Sequence, residues 1–128
     1  MKKYRIELTE EQMRLISNCL EDVSRFASGQ WEMRFTIEEM LRGLEFDEAM
    51  KRREEVEALL NKVKRILLPN LADNQSKSYN GSDFIGNTYQ IYRTILHQLA
   101  IDNNWDNVYS YPALQSGTMG TVKIEKLK

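Results

Sequence analysis

Tyr4, Ile6 and Leu8 alternate with Lys3, Arg5 and Glu7, a period of two that predicts a short strand with one buried face. The period then changes. Thr9 stands three residues before Gln12, so its hydroxyl can take a free amide of the first turn while Gln12 reaches back, which starts a helix at Thr9 or Glu10. Leu15, Ile16, Cys19, Leu20, Val23, Phe26 and Ala27 keep three-to-four spacing along that helix and predict its core face, with Arg14, Asn18, Glu21, Asp22 and Arg25 opposite. Ser28-Gly29 predicts a kink or short break, because Met33, Ile37, Met40, Leu41 and Leu44 soon resume a helical period.

Gly43 to Asp47 reads as a turn with Asp47 capping the next helix, whose apolar positions run from Met50 through Val56, Leu59, Leu60, Val63 and Ile66 to Leu67 before Pro69 stops it. Its Lys51-Arg52-Arg53-Glu54-Glu55 run is a solvated face. Residues 69–83, PNLADNQSKSYNGSD, form a polar connection longer than most, of the kind that serves as a lid or moves. Ser82 or Asp83 caps a last helix to about Ile101, buried through Phe84, Ile85, Thr88, Ile91, Tyr92, Ile95, Leu96 and Leu99. The closing run Thr121 to Lys126 alternates again. Together these patterns predict a single domain over 1–128 of the α+β class, mostly α: three to four helices and a short antiparallel ribbon pairing the N- and C-terminal strands. A lone two-stranded ribbon is marginal, so a homo-oligomer is expected to cover it.

Composition narrows the chemistry. With 18 Lys+Arg against 19 Asp+Glu the net charge is -1, which offers no global field for a nucleic-acid polymer. One Cys and one His exclude an internal disulfide and a four-ligand N/S zinc site. No apolar run reaches the ~20 residues of a membrane span, and Met1-Lys2-Lys3-Tyr4-Arg5 leads into no signal-peptide core. The expectation is a protein of a reducing cytoplasm that needs no cofactor.

Tyr89, Arg93 and His97 stand four residues apart on the last helix, which aligns a phenol, a guanidinium and an imidazole in one stripe. Arg holds phosphate bidentately and Tyr or Trp stacks on a base, so the stripe suits a small anionic, nucleotide-like ligand. Trp105, Asn107 and Tyr109 in the following aromatic segment, with Asn87, would add stacking and hydrogen bonds. A purely structural role competes throughout: Tyr89 as core cover, Arg93 paired with Glu21 or Asp22, and Trp105, Val108 and Tyr111 as a plug. Residues 116–121, SGTMGT, could offer amides to phosphate, though a plain hairpin turn explains them better. No elbow, metalloprotease or Asp-rich motif accompanies His97, and Cys19 lies on an apolar stripe, so the reading is against an enzyme. A hydrolase built on His97 is the remaining catalytic option.

Through YRIELTEEQ (4–12), SRFASGQWEM (24–33), NTYQIYR (87–93) and NVYSYPAL (107–114), the whole chain resembles a group of small proteins from gut Bacteroidales phages and mobile elements. That resemblance implies life in the cytoplasm of a bacterial host but carries over no catalytic residues. In size and in its Arg/aromatic/Asn cluster the chain is also similar to phage counter-defence proteins, the Thoeris and CBASS sponges, which sequester cyclic ADP-ribose isomers or cyclic oligonucleotides between subunits; the likeness is an analogy without an aligned motif. It implies a non-enzymatic, sequestering function. The alternative is an inhibitor or adaptor that grips a host protein through a helical face around Trp31 and Phe35.

Overall fold

The computed structural model describes all of residues 1–128. Helix α1 spans Glu10–Ser28, α2 Arg34–Met40, α3 Phe46–Leu67 and α4 Asp83–Asp102, and a single 3-10 turn occupies Val108–Ser110. The protein is all-α. The expected terminal ribbon is absent, since residues 1–9 and 112–128 form no strand and no ladder. Two strands alone bury too little to hold together; the C-terminal segment is held by α4 side chains at Ser116 to Met119, before the expected strand begins.

Local signals set the helix ends. Thr9 Oγ1 accepts from the Gln12 amide at 3.1 Å and Gln12 Oε1 accepts from the Thr9 amide at 2.9 Å, the expected capping box. Gly29 adopts φ 102° and its N–H donates to Phe26 O, so α1 ends there and helix resumes at Arg34, the short break rather than the kink. Asp47 lies inside the first turn of α3, where it favours the positive end of the helix dipole without capping it. Ser82 Oγ accepts from the Ile85 amide and starts α4.

The burial of α1 reverses the expected one. Its side toward α4 carries Ser17, Glu21, Ser24 and Ser28, all buried, while Leu15, Ile16, Cys19 and Val23 stand exposed. Small side chains explain the choice, because serines let two helix backbones approach closely. Ser17 Oγ donates to Tyr92 O and Ser24 Oγ to Ile85 O, each at 3.4 Å, using the second lone pair of a carbonyl already bonded within α4. The two helices therefore run antiparallel, and α4 is the central element. It supplies all five buried apolar residues: Ile85, Tyr92, Ile95, Leu99 and Ala100.

Helix α2 docks on α1 through Asp22, whose carboxylate accepts from the amides of Phe35 and Thr36 and from the Thr36 hydroxyl. Near its C-terminal end α3 is strapped to the 69–83 connection, where Lys64 Nζ donates to Asp73 O and Gln75 O. The Lys77 amide donates to Ser28 O, so that connection is pinned against the end of α1. The resulting accessible surface is 9719 Å², against roughly 7,100 Å² for a compact monomer of this mass. Apolar side chains stand exposed along α1 and α3 and in the extended segments 1–9 and 112–128, which add to that surface.

Candidate functional site

The residues singled out from sequence fall into separate places. Arg93 is only 7% exposed; its guanidinium carbon lies 4.9 Å above the Tyr109 ring and Nη2 donates to Val108 O at 3.3 Å. Its Nη1 is sealed off without a partner, so no ligand reaches it from solvent. His97 Nδ1 sits 2.9 Å from Tyr109 O, a bond made by a proton on Nδ1. Asn107 Oδ1 accepts from the Tyr109 amide and caps the 3-10 turn. Arg93, His97, Asn107 and Tyr109 thus meet, but they tie the segment after α4 onto that helix.

Asn87 and Trp105 lie elsewhere. Asn87 Oδ1 accepts from the amides of Thr118 and Met119, and Gln90 Oε1 accepts from those of Ser116 and Gly117. Of the amides that a phosphate could use in 116–121, those of Ser116 to Met119 are therefore taken by side chains of α4. Trp105 lies under the Arg14 guanidinium, 5.2 Å from its ring centre, where the C-terminal end of α4 meets the start of α1.

Tyr89 alone opens onto a cleft. Its ring is 5.0 Å from that of Tyr79 and 5.5 Å, edge on, from that of Tyr92. Ser24, Arg25, Ser28, Gln30 and Lys77 complete the walls of a hollow of about 160 Å³. A second, more polar hollow of about 290 Å³ adjoins it through Gln30 and reaches Trp31 and Asn74. Sequence reasoning passed over Tyr79, Lys77 and Arg25, although Tyr79 is the one aromatic residue in the polar 69–83 stretch.

Charge in the first hollow is lopsided, whereas the adjoining one is lined by Glu32 and by Asp73, which pairs with Arg65. Lys77 enters none of the chain's ion pairs. Arg25 pairs with Glu21 at 3.3 Å and donates to Gln30 Oε1 at 2.9 Å, which fixes its guanidinium at the rim. Burial, and then the neighbouring Glu21 charge, push the Tyr92 phenol up to about 12, so it stays protonated at neutral pH. Two stackable rings, a free ammonium and a fixed guanidinium suit a planar anion. No group of three or more His, Cys, Asp or Glu converges as a metal site, and no helix is long and apolar enough to cross a membrane.

Glu21 carries a pH signature. Burial pushes its carboxyl above the ordinary 4.5, and Arg25 pulls it back only in part. Between 4.5 and the raised value the folded chain binds more protons than the unfolded one, so stability falls as pH rises through that window. Glu21→Gln is therefore expected to melt higher than the wild type at pH 7. The difference should shrink as pH drops below about 4.5, where both states are protonated; melting curves from pH 3 to 8 check it.

Compared with known proteins, the chain matches no family model, no curated protein and no solved structure.

Proposed function

We propose that this chain is a non-enzymatic binding protein that sequesters a nucleotide-type anion in the Tyr79–Tyr89 cleft, acting as a phage or mobile-element counter-defence factor in the cytoplasm of a bacterial host. The observation that carries the reading is the meeting of the Tyr79 and Tyr89 rings with Lys77 and Arg25 around one hollow. A base stacks on the exposed side of Tyr79, which Tyr89 backs, a phosphate sits between Lys77 and Arg25, and Gln30 and Asn74 hydrogen-bond the remainder along the adjoining hollow. Ligand sites usually span about 300–1,000 Å³. The two hollows together reach that range where the first alone does not, so an extended ligand such as a cyclic dinucleotide or a cyclic ADP-ribose isomer would lay its phosphate in the first and an uncharged part beside Glu32 and Asp73 of the second. The resemblance to phage proteins supplies the setting, and the phosphate clamp moves from Arg93 to Lys77 and Arg25.

The test is a thermal-shift and titration series with cyclic dinucleotides, cyclic trinucleotides, ADP-ribose isomers and inorganic phosphate. A bound nucleotide raises the melting temperature by mass action. Lys77→Ala and Tyr79→Ala are each expected to weaken binding about tenfold or more, since stacking on one ring is worth ~1–3 kcal/mol. Arg93→Met keeps the packing over Tyr109 and retains affinity. Equal affinity in the Lys77 and Tyr79 variants would refute the assignment.

A protein partner is the second reading, favoured by the outer side of α3, where Leu59, Val63, Ile66 and Leu67 are exposed in one stripe. Trp31 and Phe35, the residues expected to grip a partner, are half-buried instead. This reading predicts no response to any nucleotide.

A further inference from the structure

The adjoining hollow, about 290 Å³, carries a carboxylate that the fold leaves unspent. Its walls are the break after α1 and the middle of the 69–83 connection, and several contacts clasp them together. Lys64 Nζ donates to the carbonyls of Asp73 and Gln75 at 2.9 and 2.6 Å, and the Lys77 amide donates to Ser28 O. Gly29, at φ 102°, packs so near that a Cβ on it would stand 3.3 Å from Gln75 O. Within this frame Asp73 gives both carboxylate oxygens to Arg65, and Gln75 Oε1 takes the Ala72 amide. Glu32 enters none of the chain's ion pairs. Gln30 accepts from Arg25 through Oε1, which leaves its Nε2 free to donate, and the half-buried Trp31 is the aromatic part of the wall.

We infer that this second hollow reads a guanine base, so that the ligand is a cyclic dinucleotide with at least one guanine; the inference rests on the nucleotide reading of the tyrosine cleft. A carboxylate accepts hydrogen bonds and donates none, and its charge repels a second phosphate. The part of the ligand beside Glu32 is therefore neutral and rich in donors. Among the four RNA bases only guanine presents two adjacent donors, N1–H and N2–H, on its Watson–Crick edge, a pair that the two oxygens of one carboxylate accept side by side. Adenine and cytosine set a ring-nitrogen acceptor beside their single amino donor, and uracil flanks its one N–H with two carbonyls. Guanine O6 follows N1–H on the same edge and needs a donor, which the amide of Gln30 or Asn74 supplies. Trp31 offers a ring to the base. ADP-ribose isomers bring only adenine and would leave the Glu32 carboxylate covered and half-paired, at a cost in affinity.

Calorimetric titration of the whole chain with cyclic di-GMP, cyclic GMP-AMP and cyclic di-AMP tests the assignment. Cyclic di-GMP is expected to bind about tenfold or more tighter than cyclic di-AMP, the worth of hydrogen bonds to a charged group. Cyclic GMP-AMP should bind nearly as well as cyclic di-GMP, because one guanine suffices. Glu32 is exposed, so Glu32→Gln should keep the helical circular dichroism. That variant should weaken cyclic di-GMP about tenfold and leave cyclic di-AMP no weaker, since a glutamine meets guanine's two donors with one acceptor. Equal affinity for the three ligands, or a guanine preference that survives Glu32→Gln, overturns the guanine assignment and leaves the tyrosine cleft as a nucleotide site. Binding of none of the three, nor of any ADP-ribose isomer, overturns the nucleotide reading and the guanine assignment with it.

Discussion

Asp22→Ala is expected to destabilise the protein by about 2–3 kcal/mol, the cost of leaving donors without a charged partner, or about 10 °C in Tm for a domain of this size. Asp22 is 2% exposed, and its two oxygens take the Phe35 amide at 3.2 Å and the Thr36 amide and hydroxyl at 2.7 Å each. Helix α2 has no cap of its own: Met33 precedes it at φ 47°, a left-handed conformation, with no side-chain bond to the first turn. A carboxylate from another helix thus performs the capping that Ser or Asp at the N-cap performs elsewhere. Asp22→Asn keeps one acceptor and the shape, so its loss should be intermediate. Urea titrations of the three proteins check the order.

Gly86→Ala is expected to release the C-terminal segment from α4. A Cβ there would lie 2.1 Å from Ser116 O and 2.9 Å from its carbonyl carbon, both backbone atoms that no rotamer change can move. Overpacking of this kind costs about 1–3 kcal/mol, against about 1 kcal/mol gained by Ala over Gly inside a helix. The cheaper outcome is for residues 112–128 to lift away, which gives up the bonds from Ser116 Oγ to Gly86 O and from the Gly117 and Thr118 amides to Gln90 and Asn87. Hydrogen exchange should show those two amides losing protection while the middle of α4 keeps its own. Unchanged protection at Gly117 and Thr118 would place the segment elsewhere.

Both residues show what a one-dimensional pattern holds and what it does not. Helix starts were legible because Thr9 with Gln12 and Ser82 carry their caps within three residues. The face of α1 was not. Periodicity shows which residues share a side, and the stripe through Leu15, Cys19 and Val23 is real; which side meets α4 depended on serine size and on carbonyls 61 and 75 residues away. The terminal alternation was legible as pattern but not as structure, because a two-stranded ribbon needs a surface to lie on and α4 holds the C-terminal segment only before the alternating run, at Ser116 to Met119.

The candidate site divides in the same way. Tyr89, Arg93 and His97 do share a stripe, yet Arg93 and His97 are spent on the carbonyls of Val108 and Tyr109. The cleft is assembled from α1, the 69–83 connection and α4, three stretches that no spacing rule links. Only Tyr89 belongs to both sets. Lys77 is one of several unpaired cations, and only the fold places it beside Tyr79 and Tyr89.

The central claim is that the tyrosine cleft holds a nucleotide-type anion, and native mass spectrometry of the protein with cyclic dinucleotides and ADP-ribose isomers in excess tests it most directly. The account predicts a mass increase of one nucleotide per chain that in Lys77→Ala needs about ten times more ligand or above to reach the same occupancy. Protein found only at its own mass with every member of the panel, under conditions that keep it folded, would contradict it.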